Sequence, residues 1–174
     1  MGTYLYQGEI IEYIAADDES SRYLIRTKGN KPLICLGLNP SVANKVLSDA
    51  TIKRVEKYAE KNGYDSIAMI NLYPLRSTDP KKLPPTKNQD IYDLNLKTIK
   101  TLIKPLKDKS ILIAAGGDVK TREYLIDALK ELIKFGNENE INWLCIGLNK
   151  EGFPRHPSRG TYRDIVKYDP NELL

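Results

Sequence analysis

Four short apolar runs, each ended by small or polar residues, constrain this chain more than any other feature. They are Leu33 to Leu38, Ser66 to Leu72, Ile111 to Ala115 and Ile141 to Gly147. A continuous apolar run of this length suits a strand covered on both faces, because neither face then meets water. Stretches with helical periodicity lie between them. Ser48-Asp49 offers an N-cap for a helix over about residues 50 to 62, with Ile52, Val55 and Ala59 on one face and Gly63 as its stop. Ile91, Leu94, Ile99, Leu102 and Ile103 mark a second helix, ended by Pro105. A third runs over about residues 118 to 135, with Val119, Leu125, Ile126, Leu129 and Ile133 inward.

Strand and helix in alternation predict an α/β fold. The expectation is a three-layer α/β/α sandwich with a central four-stranded parallel sheet and right-handed crossovers. Weak alternation over residues 4–14, followed by Tyr23-Leu24-Ile25, adds N-terminal β-strands as a hairpin beside that sheet. Residues 148–174 are loop-rich, with room for one short helix or turn. The 174 residues fit a single domain, without internal repeats.

In open α/β sheets, ligands bind beyond the carboxyl ends of the strands. Two loops stand there. Gly37, Leu38, Asn39, Pro40 and Ser41 end the first run. Arg155, His156, Pro157, Ser158 and Arg159 follow the last. A shared site between them is the central expectation.

Each residue also has a plainer role. Asn39-Pro40 is a turn signal by itself, while Pro40 and Ser41 could open a helical turn whose N–H groups face a ligand. Asn71 ends the second run, as a buried structural amide or as a reader of a base edge, since its donor and acceptor lie side by side. Tyr73 begins a long loop, to about Asn88, that carries four prolines. Arg76 in that loop is a surface salt-bridge residue or a clamp for phosphate or carboxylate. Gly116-Gly117-Asp118 lacks the following Lys-Ser/Thr of a phosphate loop, so a tight turn is the better reading. His156, the sole histidine, lies outside any helical apolar pattern. It can donate a hydrogen bond to a developing anion or act in acid–base catalysis.

Composition narrows the classes. No apolar run approaches the ~20 residues of a membrane span, and the N-terminus lacks the basic and apolar regions of a signal peptide. No membrane partner and a cytoplasmic location are expected. Cys35 and Cys145 lie in apolar runs, where a reduced, buried thiol is the ordinary state. Two cysteines cannot supply a four-cysteine cluster or zinc site, and a lone histidine cannot make a His-rich one, so no metal and no cofactor are expected. A net charge of +4 permits nucleic-acid or phosphate binding without demanding it. Tyrosine is abundant, with 11 copies against 2 Phe, and can stack on bases or sit half-buried.

Four segments in order resemble domain-of-unknown-function family 1643 of bacterial and phage proteins. They are Gly37-Leu38-Asn39-Pro40-Ser41, Asp49-Ala50-Thr51-Ile52-Lys53-Arg54, Asn71 to Pro80 and Gly152-Phe153-Pro154-Arg155-His156-Pro157. More distantly, Gly37-x-Asn39-Pro40, Ile70-Asn71-Leu72 and His156-Pro157-Ser158 resemble the motifs of the uracil-DNA glycosylase-like superfamily. That resemblance implies the same sandwich fold and N-glycosidic hydrolysis. Asn39 would position water, Asn71 would read the base, and His156 would stabilise the departing base. Gly37, Leu38, Pro40, Ser41, Tyr73 and Ser158 would line the ligand, and Arg76, Arg155 and Arg159 would hold phosphates. The chain departs from the pattern in three places. It has no cluster cysteines. Asn39 stands where many such enzymes carry an acid. Arg159-Gly160-Thr161-Tyr162 replaces the leucine wedge that accompanies base flipping from duplex DNA in that superfamily.

The expected partner is thus a nucleotide or nucleic acid, presenting a single-stranded or flipped base. The alternative is a non-catalytic binder that sequesters a nucleotide or nucleic-acid end, in a phage–host conflict. A third reading is a base-modifying enzyme on the same fold.

Overall fold

The apolar runs become inner strands of one seven-stranded sheet. A computed structural model describes residues 2–174. The strands are β1 (Thr3–Tyr4), β2 (Ile10–Ala15), β3 (Arg22–Thr27), β4 (Pro32–Gly37), β5 (Ser48–Asp49), β6 (Ser66–Asn71), β7 (Ser110–Ile113), β8 (Asn142–Cys145) and β9 (Val166–Lys167). The helices are α1 (Ala50–Lys61), α2 (Gln89–Ile103) and α3 (Glu123–Asn139). The large sheet runs β2-β3-β6-β4-β7-β8-β9, and β1 pairs separately with β5.

Strand β4 pairs in parallel with β6 and β7, and β7 with β8. The flanking pairs β2–β3, β3–β6 and β8–β9 are antiparallel. The sheet is therefore mixed, and a four-stranded parallel sheet with N-terminal additions describes it too narrowly. Strand β9 closes the far edge from the segment read as loop-rich. Its residues are exposed, so no apolar pattern marks it.

Alternation within the apolar runs sorts side chains onto two faces. Ile34 and Leu36 of β4, Ala68 and Ile70 of β6, and Ile111 and Ile113 of β7 pack with α2 and α3. Leu33 and Cys35, Ile67 and Met69, and Leu112 pack with Ile52, Val55, Tyr58 and Ala59 of α1. Each fully buried branched side chain contributes about 1.5–3 kcal/mol relative to exposure. Helix α1 starts where expected because the Asp49 carboxylate accepts from the Ile52 N–H at 2.9 Å. Helix α2 starts at Gln89, capped by Asn88.

The third helix differs from the expectation of one segment over about 118 to 135. Residues Gly117–Thr121 form a short 3₁₀ turn, Arg122 is extended, and α3 begins only at Glu123. The Arg122 guanidinium donates to the carbonyls of Lys81, Leu83, Pro84 and Thr121. Satisfying those four carbonyls from one side chain favours the extended residue over a continuous helix. Gly117 is set by contact: a Cβ there would meet the Phe153 ring at 2.7 Å. The Gly116-Gly117 turn thus serves close packing against the last loop.

Candidate functional site

The carboxyl ends of β4, β6 and β7 open into a cleft of about 1030 Å³, and both candidate loops line it. Gly37, Leu38, Asn39, Pro40 and Ser41 lie on one wall, and Arg155, His156, Ser158 and Arg159 on another. Asn71 is also at its surface. The first loop is held by the continuation of β6. Leu72 N–H donates to Gly37 O, Tyr73 N–H to Leu38 O and Ser77 N–H to Pro40 O, each at 3.0 Å. The last loop turns through Asn149, whose Oδ1 accepts from Glu151 and Phe153 N–H, both at 3.0 Å. Arg155 N–H then returns to Gly147 O at 2.9 Å.

Asn71 is the most telling residue. It is 5% exposed, and its backbone oxygen accepts from Asn95 Nδ2 of α2 at 2.8 Å. Among the described residues, its side-chain amide forms no hydrogen bond. That amide borders the cleft, so its donor and acceptor are available to an occupant. An amide that faces a cleft without a protein partner is satisfied by water or by a ligand.

Asn39 has a double role. Its Nδ2 donates to the carbonyls of Pro40, Leu75 and Ser77 at 3.2, 3.3 and 3.0 Å. Three surrounding acceptors assign the nitrogen to that side. The amide therefore latches the loop after β6 to the loop after β4. Its Oδ1 accepts from no described protein donor. Water or a ligand donor can use that oxygen.

His156 is oriented by its own loop. Nδ1 lies 2.6 Å from Ser158 Oγ, and the Ser158 N–H donates to it at 3.3 Å. Nδ1 is thus the acceptor, which assigns the proton to Nε2. Burial and then the Arg159 charge push the imidazole below its ordinary pKa of 6.5. His156 is therefore neutral at pH 7 and presents one N–H donor.

Two expected site residues lie elsewhere. Arg76 is not placed to clamp a phosphate. Nε donates to Glu19 O, Nη1 to Ser41 O and Ala43 O, and Nη2 to Tyr13 Oη and Glu19 Oε2. With all its faces occupied, it ties the β2–β3 turn to the first loop. Tyr73 is not a ligand contact either. It is 1% exposed, stacks at a tilt on Tyr124 with centroids 4.6 Å apart, and its hydroxyl accepts from Asn88 N–H. The apolar packing of α2 and α3 claims its ring.

Other lining residues carried no clear signal. Arg22 begins β3, where a charged residue reads as exposed, yet it is 3% exposed and borders the cleft. Asp49, Asp118 and Glu151 set three acids against Arg22, Arg155 and Arg159, so the cleft is not uniformly basic. Cys35 reaches the cleft floor, but burial pushes its thiol up to about 12, which keeps it protonated and unreactive.

A second groove, of about 850 Å³, lies between α2 and α3. Lys97, Lys100, Asp127, Lys130 and Glu131 line it, with Lys100 and Glu131 paired at 3.3 Å. These are long side chains on solvated helix faces, and such pairs contribute little order. Among the described residues, no group of three or more His, Cys, Asp or Glu is placed to hold a metal ion. No described helix is long and apolar enough to cross a membrane.

No curated protein matches this chain, and no solved structure matches it. The family model described as Protein of unknown function (DUF1643) matches residues 22–158, which takes in the first loop, Asn71, the strands between and the second loop through Ser158. The chain belongs to the DUF1643 family.

Proposed function

We propose that the cleft binds a nucleobase-bearing ligand and that the protein hydrolyses its N-glycosidic bond, on a uracil-DNA glycosylase-like scaffold. One observation carries the reading most: the 5%-exposed Asn71 offers an amide with no described protein partner to the cleft. A side-chain amide matches a base edge with one donor and one acceptor.

The chemistry would proceed as the carbon–nitrogen bond to the base breaks and its electron pair moves onto the base. His156 Nε2–H would donate to a base oxygen as negative charge develops there. A neutral donor aimed at developing charge favours the transition state over the ground state. Water, positioned by Asn39 Oδ1, would add its oxygen to the sugar carbon, and the proton it sheds would neutralise the departed base, so that sugar and free base leave as the two products. Because positive and negative side chains are balanced around the cleft, a free nucleotide or a single-stranded end suits it better than a long duplex backbone.

One observation favours a second reading, in which the protein sequesters its ligand without cleaving it. Asn39 is a carboxamide, which is no general base at neutral pH, and its nitrogen is already tied to three carbonyls that hold the loops together. Single-turnover release of free base from uracil-containing, mismatched and modified-base DNA and from nucleotides, measured beside direct binding, separates the readings. Hydrolysis predicts base release that falls strongly in His156→Ala while binding persists. Tight binding with no release from any substrate moves the assignment to sequestration.

A further inference from the structure

Arg22 sits at the floor of the cleft in a state that its protein surroundings do not complete. It is 3% exposed, and the one hydrogen bond of its side chain among the described residues runs from Nη1 to Ala43 O at 3.1 Å. Nε is buried and has no acceptor. No carboxylate of the described residues forms an ion pair with it, whereas its neighbour Arg76 has Glu19 at 2.9 Å. The two guanidinium groups share the Ala43 carbonyl, so Arg22 also sits beside a like charge. Asp49, the acid that acts on it most, is engaged as the cap of α1. An arginine stays protonated even when buried. A buried charge without a counter-ion is among the costlier features a fold can carry.

Resting on the nucleobase reading above, we propose that Arg22 is an anion-binding residue that receives a terminal phosphate monoester of the ligand, deep in the cleft beside the base subsite. A guanidinium offers a planar fork of donors that matches phosphate oxygens. The depth of Arg22 selects the kind of phosphate. A terminal monoester has a single connection to the rest of its molecule and can enter end-on. An internal diester would have to bring one chain in and lead another out past the same buried group. The class indicated is therefore a nucleoside monophosphate or the phosphorylated end of a strand. Arg155 and Arg159, nearer the solvent at the cleft rim, are left to meet any further phosphates.

The test compares wild-type protein with Arg22→Met and Arg22→Lys by thermal unfolding and titration calorimetry. The probes are inorganic phosphate, nucleosides, nucleoside 5′-monophosphates, and short oligonucleotides with either a 5′-phosphate or a 5′-hydroxyl. In wild type, inorganic phosphate should raise the unfolding temperature with dose. A 5′-phosphate should tighten nucleoside binding by about tenfold or more, as expected for charge-assisted hydrogen bonds. Arg22→Met should unfold no earlier than wild type without phosphate, because an uncompensated charge is gone, and should lose the phosphate response. Arg22→Lys should retain part of it. The two oligonucleotide ends report whether a strand end or only a free nucleotide enters.

Phosphate-independent binding of nucleosides and monophosphates, equal in wild type and Arg22→Met, would overturn the anion site and leave the base reading standing. An Arg22-dependent phosphate response with no gain from any base would do the reverse. If Arg22→Met fails to fold, the wild-type and Arg22→Lys titrations still decide. No phosphate response in wild type makes Arg22 a structural residue.

Discussion

Gly37 and Asn71 lie opposite one another in the parallel β4–β6 ladder, and a Cβ on Gly37 would stand 2.6 Å from Asn71 Oδ1. The absence of a side chain at Gly37 is what lets the Asn71 amide occupy the cleft floor. Gly37→Ala should therefore displace that amide. The expected stability loss is about 1–3 kcal/mol, typical of overpacking. Ligand affinity should fall further than that loss implies, read by calorimetry on the folded variant. Unchanged affinity would show that the position of Asn71 is not critical.

Asn71 itself should matter for binding and little for folding. Its side-chain amide has no described protein partner to lose, so Asn71→Ala should change stability by less than about 1 kcal/mol while weakening binding about tenfold or more. Asn71→Asp, which only accepts hydrogen bonds when ionised, should change which base is preferred. Equilibrium binding to the four nucleosides checks both.

Arg76 should show the opposite pattern. Its guanidinium bridges Glu19, Tyr13, Ser41 and Ala43, and its removal leaves several acceptors unpaired. Arg76→Ala should lose about 2–4 kcal/mol in urea unfolding. The remaining folded protein should keep its salt dependence of binding. A variant of full stability that binds poorly would restore Arg76 to the phosphate contacts.

His156 predicts a pH effect. Its folded pKa lies below its ordinary 6.5, because burial and Arg159 disfavour the charged ring. Below pH 6.5 the unfolded chain takes up a proton that the folded chain resists. Stability is then full above that pH and falls as pH drops toward the folded value. His156→Gln should lack this slope, so wild type should lose stability relative to it on acidification. Denaturant unfolding of both proteins between pH 5 and pH 8 measures the difference, a range that brackets histidine titration. Parallel curves would mean that the ring is solvated.

Much of this molecule follows from local pattern. Runs such as Leu33 to Leu36 read as strands covered on both sides, and their alternate residues do pack against α1 and against α2 and α3. Asp49 caps α1 through a bond to the third residue beyond it, and such short-range geometry is legible in sequence. The placing of Asn39, Asn71 and His156 around one cleft also follows from strand ends, because parallel strands bring their carboxyl ends to the same edge.

Tertiary structure decided what each polar side chain does there. Arg76 and Arg22 are both arginines near apolar segments, and nothing local distinguishes them. One is enclosed by Glu19 and the backbone of the first loop. The other is buried at the cleft with a single carbonyl partner. Tyr73, two residues past β6, turns into the core because Tyr124 of α3 and Asn88 meet it there. The break before α3 likewise depends on carbonyls at Lys81, Leu83 and Pro84, far from Arg122 in the chain. Periodicity specifies which surface of an element is apolar, and that is a property of neighbours in sequence. Whether a polar group is satisfied depends on partners that only the folded chain brings within hydrogen-bond distance.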